Sequence, residues 1–108
     1  MNLYYRDDNY KKIPIKLNLE YSDHAYKRLF ERNLDKKFIE SAIKKGMSSI
    51  CRLKNKSDFK IYSYKYFLVI PCKVTFEHNK SSITVLVKTS FISPKPYYRK
   101  GEKLIYAW

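Results

Sequence analysis

At 108 residues, with 44% hydrophobic content, eleven Tyr and six Phe, the chain is long enough for one buried core and too short for two. Lys plus Arg number 23 against 10 Asp plus Glu, a net charge of +13, which favours a polyanionic partner and disfavours an immunity or antitoxin protein, a class that is usually acidic. Cys51 and Cys72 lie in unlike contexts with no second close pair, so neither a disulfide framework nor a zinc ribbon is suggested, and the longest apolar run, residues 66–70, is far too short to span a bilayer.

Residues 1–12 follow neither the helical nor the strand period and read as an irregular arm, polar and carrying charges of both signs, with no signal peptide. Residues 13–19 alternate apolar and other side chains, but Pro14 allows only an edge strand or an extended lead-in. A first helix is predicted from about Asp23 to Arg32, with Ser22 as N-cap and Asn33 as a left-handed stop. Asp35 opens a second helix whose apolar positions Phe38, Ile39, Ala42 and Ile43 recur at three- and four-residue steps, with Lys44, Lys45 and Gly46 at its end.

From Ser48 onward the pattern changes to strands: 49–53, 59–64 and 66–77, with a turn at 55–58, a break or bulge at Pro71, and a further turn at 78–81. Residues 82–91 carry the clearest two-residue period. Ile83, Val85, Val87, Thr89 and Phe91 share one face, expected to carry the helices; Ser82, Thr84, Leu86, Lys88 and Ser90 share the other, left free for a ligand. Residues 93–96 force an extended passage, and 103–108 form a closing strand. The expected fold is α+β in one domain spanning 1–108: two N-terminal helices packed on one face of a twisted, mostly antiparallel sheet of four or five strands.

The first helix carries the chemistry. Its period places His24, Arg28 and Arg32 on one stripe at i, i+4 and i+8, beside an apolar arc of Ala25, Tyr26, Leu29 and Phe30. Only five of the 23 cations are Arg, and two of those five stand four residues apart here. The stripe His24-Ala25-x-x-Arg28-Leu29-x-x-Arg32-x-Leu34, then Asp35 and the Ile39/Ala42/Ile43 helix, resembles a family of small bacterial proteins. That family has a His-Ala-x-x-Arg-x-x-x-Arg-x-(Ile/Leu) helix, a second capped helix and a strand meander, and is grouped with the barnase/colicin/RelE superfamily of ribonuclease toxins. The resemblance covers roughly residues 22–91. It implies a RelE/barnase-like fold, an endoribonuclease of toxin type acting on mRNA or tRNA, an acidic antitoxin or immunity protein as partner, and no cofactor or metal. It also implies polar substrate contacts from the end of the central strand, here Lys88 and Ser90.

Metal-independent RNA cleavage needs a base for the 2′-hydroxyl proton, an acid for the 5′-oxygen and cations for the charge on the phosphorane. His24 is the natural acid/base, with Arg28 and Arg32 as phosphate ligands, although a helix-start His bonded to backbone satisfies the same pattern. Lys88 serves equally as a substrate contact or a solvated strand residue. Tyr97, Tyr98, Arg99 and Lys100 interleave rings and cations, as an RNA-binding surface does. With no phosphate-cradling Gly loop, nucleophile elbow, paired-carboxylate site or zinc spacing, two readings remain: a cytoplasmic endoribonuclease, delivery into another cell being left open, or a non-catalytic RNA- or DNA-binding regulator.

Overall fold

A computed structural model describes residues 2–6, 12–77 and 81–107. The chain runs β1 (Asn2–Arg6), β2 (Lys12–Tyr21), α1 (Asp23–Glu31), α2 (Lys36–Lys45), α3 (Met47–Ile50), β3 (Asp58–Ser63), β4 (Leu68–Glu77), β5 (Ser82–Val87), β6 (Phe91–Ile92) and β7 (Leu104–Tyr106). The fold is α+β. The sheet is mixed and larger than the expected four or five antiparallel strands. Its order is β1-β2-β5-β4-β3-β7, with β6 pairing β4 off that path; β2 runs parallel to β5, and β7 parallel to β3.

The helix signals work locally as read. Ser22 caps α1, its hydroxyl accepting the Ala25 N–H at 3.0 Å, and Asp35 caps α2 by accepting the Lys37 N–H at 2.9 Å. Asn33 takes the left-handed conformation between them, φ 53°. Gly46 differs: its φ is −86°, and it ends α2 while opening α3. Its use is close approach, since a Cβ there would stand 3.0 Å from Ile105 Cγ2.

The register separates two faces. One carries Ile15 and Leu17 of β2, Ile83, Val85 and Val87 of β5, Ile70, Cys72 and Val74 of β4, and Ile61 of β3, all buried. Against it pack Ala25 and Leu29 of α1, Ile39, Ala42 and Ile43 of α2, and Met47 and Ile50 of α3. The other, open face presents Lys73 and Pro71 of β4, Asp58, Lys60 and Tyr62 of β3, and Tyr106 of β7.

Several expectations change. Residues 2–6, read as part of an irregular arm, form a strand on β2, because an edge partner supplies the order that local pattern lacks; residues 1 and 7–11 lie outside the described residues. That pairing makes β2 an inner strand. Pro14 is tolerated because β2 meets β5 only from Lys16 on, so the missing N–H falls outside that ladder. The expected strand at 49–53 is instead α3 and a turn, with Met47 and Ile50 burying one face at i, i+3. Phe38 is 38% exposed and stacks on Tyr66, centroids 4.4 Å apart, in place of entering the core with Ile39. Tyr26 and Phe30 also leave the core, Phe30 to 90% exposure, so the buried arc of α1 is only Ala25 and Leu29. The turn at 78–80 lies outside the described residues. Among the described residues, no helix is long and apolar enough to cross a membrane.

Ile43 is fully buried between α2 and the sheet. Ile43→Ala is expected to cost about 2–5 kcal/mol in urea unfolding, while exposed Lys44→Ala stays within about half a kcal/mol. Equal stability of the two variants would refute this assignment of the core face.

Candidate nucleic-acid interface

The open face is crossed by the chain between β6 and β7. Tyr62 belongs to that face by alternation, yet it is fully buried, because its hydroxyl donates to the Ser93 carbonyl at 2.9 Å beneath the crossing segment. Lys60, on the same face, donates from its ammonium to the Tyr97 carbonyl at 3.4 Å, and its backbone N–H to the Lys103 carbonyl at 2.9 Å. The expected ligand face is therefore half roofed. What remains is a cleft of about 450 Å³ between Asp58, Lys60, Pro71 and Lys88 on the sheet side and Gly101 to Lys103 on the loop side.

Two ion pairs line this cleft: Lys88 to Asp58 at 2.5 Å along its sheet side, and Lys60 to Glu102 at 2.8 Å across it. Each carboxyl is held below its ordinary value, Asp58 mainly by its hydrogen bond to Lys88, and Glu102 by those from Lys60 and the Arg99 N–H. The Lys60 ammonium also lies 5.6 Å from the Tyr97 ring centroid.

The α1 stripe sits on the other side of the sheet. His24 Nε2 accepts the Arg28 Nε–H at 3.4 Å, and the same guanidinium meets Glu31 at 3.0 Å. An imidazole nitrogen with its lone pair turned to a guanidinium combines a proton acceptor and an anion ligand on one exposed helix face. Arg32 is used differently: its guanidinium donates to the Ser90 carbonyl. The helix is also fixed at its start, where the Ser22 N–H donates to the Val87 carbonyl at 3.0 Å and the Ser22 hydroxyl to the Lys88 carbonyl at 2.8 Å.

Residues 88–90 form the wall shared by these two regions, and they hold one residue more than the ladder needs. Cys72 pairs with Val87, so regular counting would set Val69 against Ser90; it faces Phe91 instead. This β-bulge corrects the expectation that Lys88 and Ser90 share the ligand side. Lys88 reaches the open face, whereas Ser90 is 1% exposed and its hydroxyl finds no hydrogen-bond partner among the described residues. Pro71 does not break β4 as expected; the irregularity falls on the neighbouring chain.

Of the sequence-predicted residues, His24 and Arg28 are brought together, Arg32 joins them to Ser90 through the backbone, and Lys88 meets the cleft. Tyr97 closes on Lys60, while Tyr98, Arg99 and Lys100 are exposed on the crossing segment. The structure does not bring the His24 stripe and the Lys88 ammonium into one site. Sequence reading missed Asp58, Lys60 and Glu102; the alternation of residues 58–62 carried the signal for the first two. Tyr21, whose hydroxyl is buried without a partner among the described residues, is pushed up to about 12 by burial and by Glu40. Burial likewise raises the Cys72 thiol, leaving it unreactive. Among the described residues, no group of three or more His, Cys, Asp or Glu stands ready to hold a metal ion. No family model, curated protein or solved structure matches the chain.

A carboxyl with a folded pKa below its unfolded one adds stability above the unfolded value and loses it as pH falls through the folded value. The Asp58 carboxyl, followed by NMR, is thus expected to titrate below its ordinary value, and to move upward in Lys88→Met. An unchanged midpoint in that variant would remove the ion pair as the cause.

Proposed function

We propose that the protein is a small endoribonuclease of toxin type, acting on RNA through the His24–Arg28 pair of α1. The observation that carries this reading is the hydrogen bond from Arg28 Nε to His24 Nε2 on an exposed, capped helix face. The net charge of +13 draws in a polyanion, and RNA supplies its own nucleophile, so the protein needs only a base, an acid and a phosphate ligand. The order of two capped helices and a strand meander is also the one carried by the ribonuclease-toxin family that the α1 motif resembles, which supports a RelE/barnase-like reading of the fold.

In this mechanism a phosphate docks on Arg28, whose guanidinium is oriented by Glu31. The docked phosphate takes over the Arg28 Nε–H and so frees the Nε2 lone pair of His24; His24 Nε2 then takes the 2′-hydroxyl proton, the 2′-oxygen attacks phosphorus, and the P–O5′ bond breaks. The products are a 2′,3′-cyclic phosphate and a 5′-hydroxyl, which takes its proton from solvent water while His24 returns the 2′-hydroxyl proton to solvent. Arg28 offsets charge developing on the phosphorane. Arg32, bonded to Ser90, positions α1 on the bulge, a role distinct from the phosphate ligand expected of it. An acidic inhibitor protein fits the same basic surface.

A second reading, RNA binding without cleavage, is favoured by one observation: the Lys60/Lys88 cleft and His24 lie on opposite faces of the sheet, and His24 does not line that cleft. Incubating the protein with total RNA, with and without EDTA, separates the two. Cleavage is expected to persist in EDTA, leave cyclic phosphate ends and stop at a 2′-deoxy scissile ribose. His24→Ala should lose about 10²- to 10⁴-fold in rate while still binding RNA. Normal cleavage by His24→Ala would overturn the assignment of the site, and tight binding without cleavage by the unmodified protein would leave the second reading in its place.

A further inference from the structure

A tyrosine stack at the β3–β7 edge is used by neither the α1 pair nor the cleft. Lys60 and Tyr62 share the open face of β3, and Tyr64 continues that row just past the end of the strand. Tyr106 of β7 lies opposite Tyr62 in the parallel register. The rings of Tyr64 and Tyr106 stack with centroids 5.4 Å apart and 12° between planes, and Tyr62 meets Tyr64 edge-on at 4.8 Å and 80°.

The burial of the three rings differs. Tyr62 is fixed beneath Ser93 and forms the base of the cluster, whereas Tyr64 and Tyr106 are 50% and 51% exposed. A core cluster would not leave two of its three rings half in water. β7 ends the strand order, so among the described residues no further strand covers that side. Along the row toward the cleft stands Lys60, two side-chain periods or roughly 13 Å of strand from Tyr64. Beside it, Lys103 lines the same cleft.

The geometry points to a stacking site for unpaired bases, in which Tyr64 and Tyr106 receive the base of a single-stranded RNA whose phosphates run toward Lys60 and Lys103. Two flat rings held in place supply stacking area at little entropic cost. Any base fits them, because every base has a π face. A duplex does not, because its bases are already stacked on one another. The inference rests on RNA being the polyanion, and it narrows the substrate to unpaired segments such as loops and ends.

The test is fluorescence anisotropy with a short, unstructured, 2′-O-methylated RNA, which cannot be cleaved by 2′-hydroxyl attack, and with the same strand in a duplex. Tyr64→Ala and Tyr106→Ala are each expected to weaken single-strand binding about 5- to 150-fold. Tyr64→Phe and Tyr106→Phe, which keep the ring, should bind nearly as the unmodified protein does. Duplex binding and the salt dependence of binding should not move, since no charge is removed. Where an alanine variant fails to fold by circular dichroism, the leucine variant, of similar bulk without a ring, takes its place. Single-strand affinity unchanged in both ring-deleted variants overturns the stacking site and leaves the RNA reading intact. An unmodified protein that binds neither strand nor duplex at low salt overturns both.

Discussion

Pro71 stands in the middle of the central strand β4 with no N–H to give, opposite Lys88, whose own N–H donates to the Pro71 carbonyl at 2.9 Å. The Lys88 carbonyl, left without a return donor from β4, accepts the Ser22 hydroxyl, and Ser22 is also the N-cap of α1. One hydroxyl thus joins the start of the helix to the point where the sheet ladder is interrupted. The extra residue at 88–90 follows at once, and Arg32 at the far end of α1 ties down the bulge through Ser90. Helix and bulge fix each other, and everything placed on either of them inherits that geometry.

The charge of the chain is less available than its total suggests. In the cleft, Lys60 and Lys88 each already face a carboxylate, while on α1 Arg28 is shared between His24 and Glu31. None of these pairs is sealed from solvent, so an incoming phosphate can replace the carboxylate at small cost. The carboxylates then act as placeholders that hold long side chains in position and reduce the entropy lost when an anion arrives. Cations held in this way favour selective binding over the diffuse attraction that a net charge of +13 alone would produce.

How much was legible in the sequence follows the range of each interaction. The caps at Ser22 and Asp35, the left-handed Asn33, the buried Ile39, Ala42 and Ile43, and the alternation through β5 all depend on neighbours within a turn or a strand period, and each stands as read. The misreadings depend on distant partners. β1 exists because β2 offers an edge; α3 forms where Gly46 can approach Ile105; the parallel pairing of β2 with β5 leaves no local trace. Ser90 is the sharpest case. Its alternation was counted correctly along the strand, but one inserted residue moved it to the opposite face, and the cause lies nineteen positions upstream by sequence number, at a proline on another strand.

The same bulge separates the two surfaces on which function is proposed. Lys88 turns toward the cleft while the carbonyls of residues 88 and 90 turn toward α1, so the backbone between them divides a His–Arg pair on the helix side from a lysine and tyrosine row on the open side. A folded duplex is too stiff to address both faces of so small a domain. An unpaired strand bends around the end of β5 readily, with the 88–90 segment as the ridge it would cross. The architecture therefore favours a flexible single strand for a reason independent of the exposed tyrosines: the cations and the imidazole are distributed on two faces, and only a flexible polyanion meets both at once.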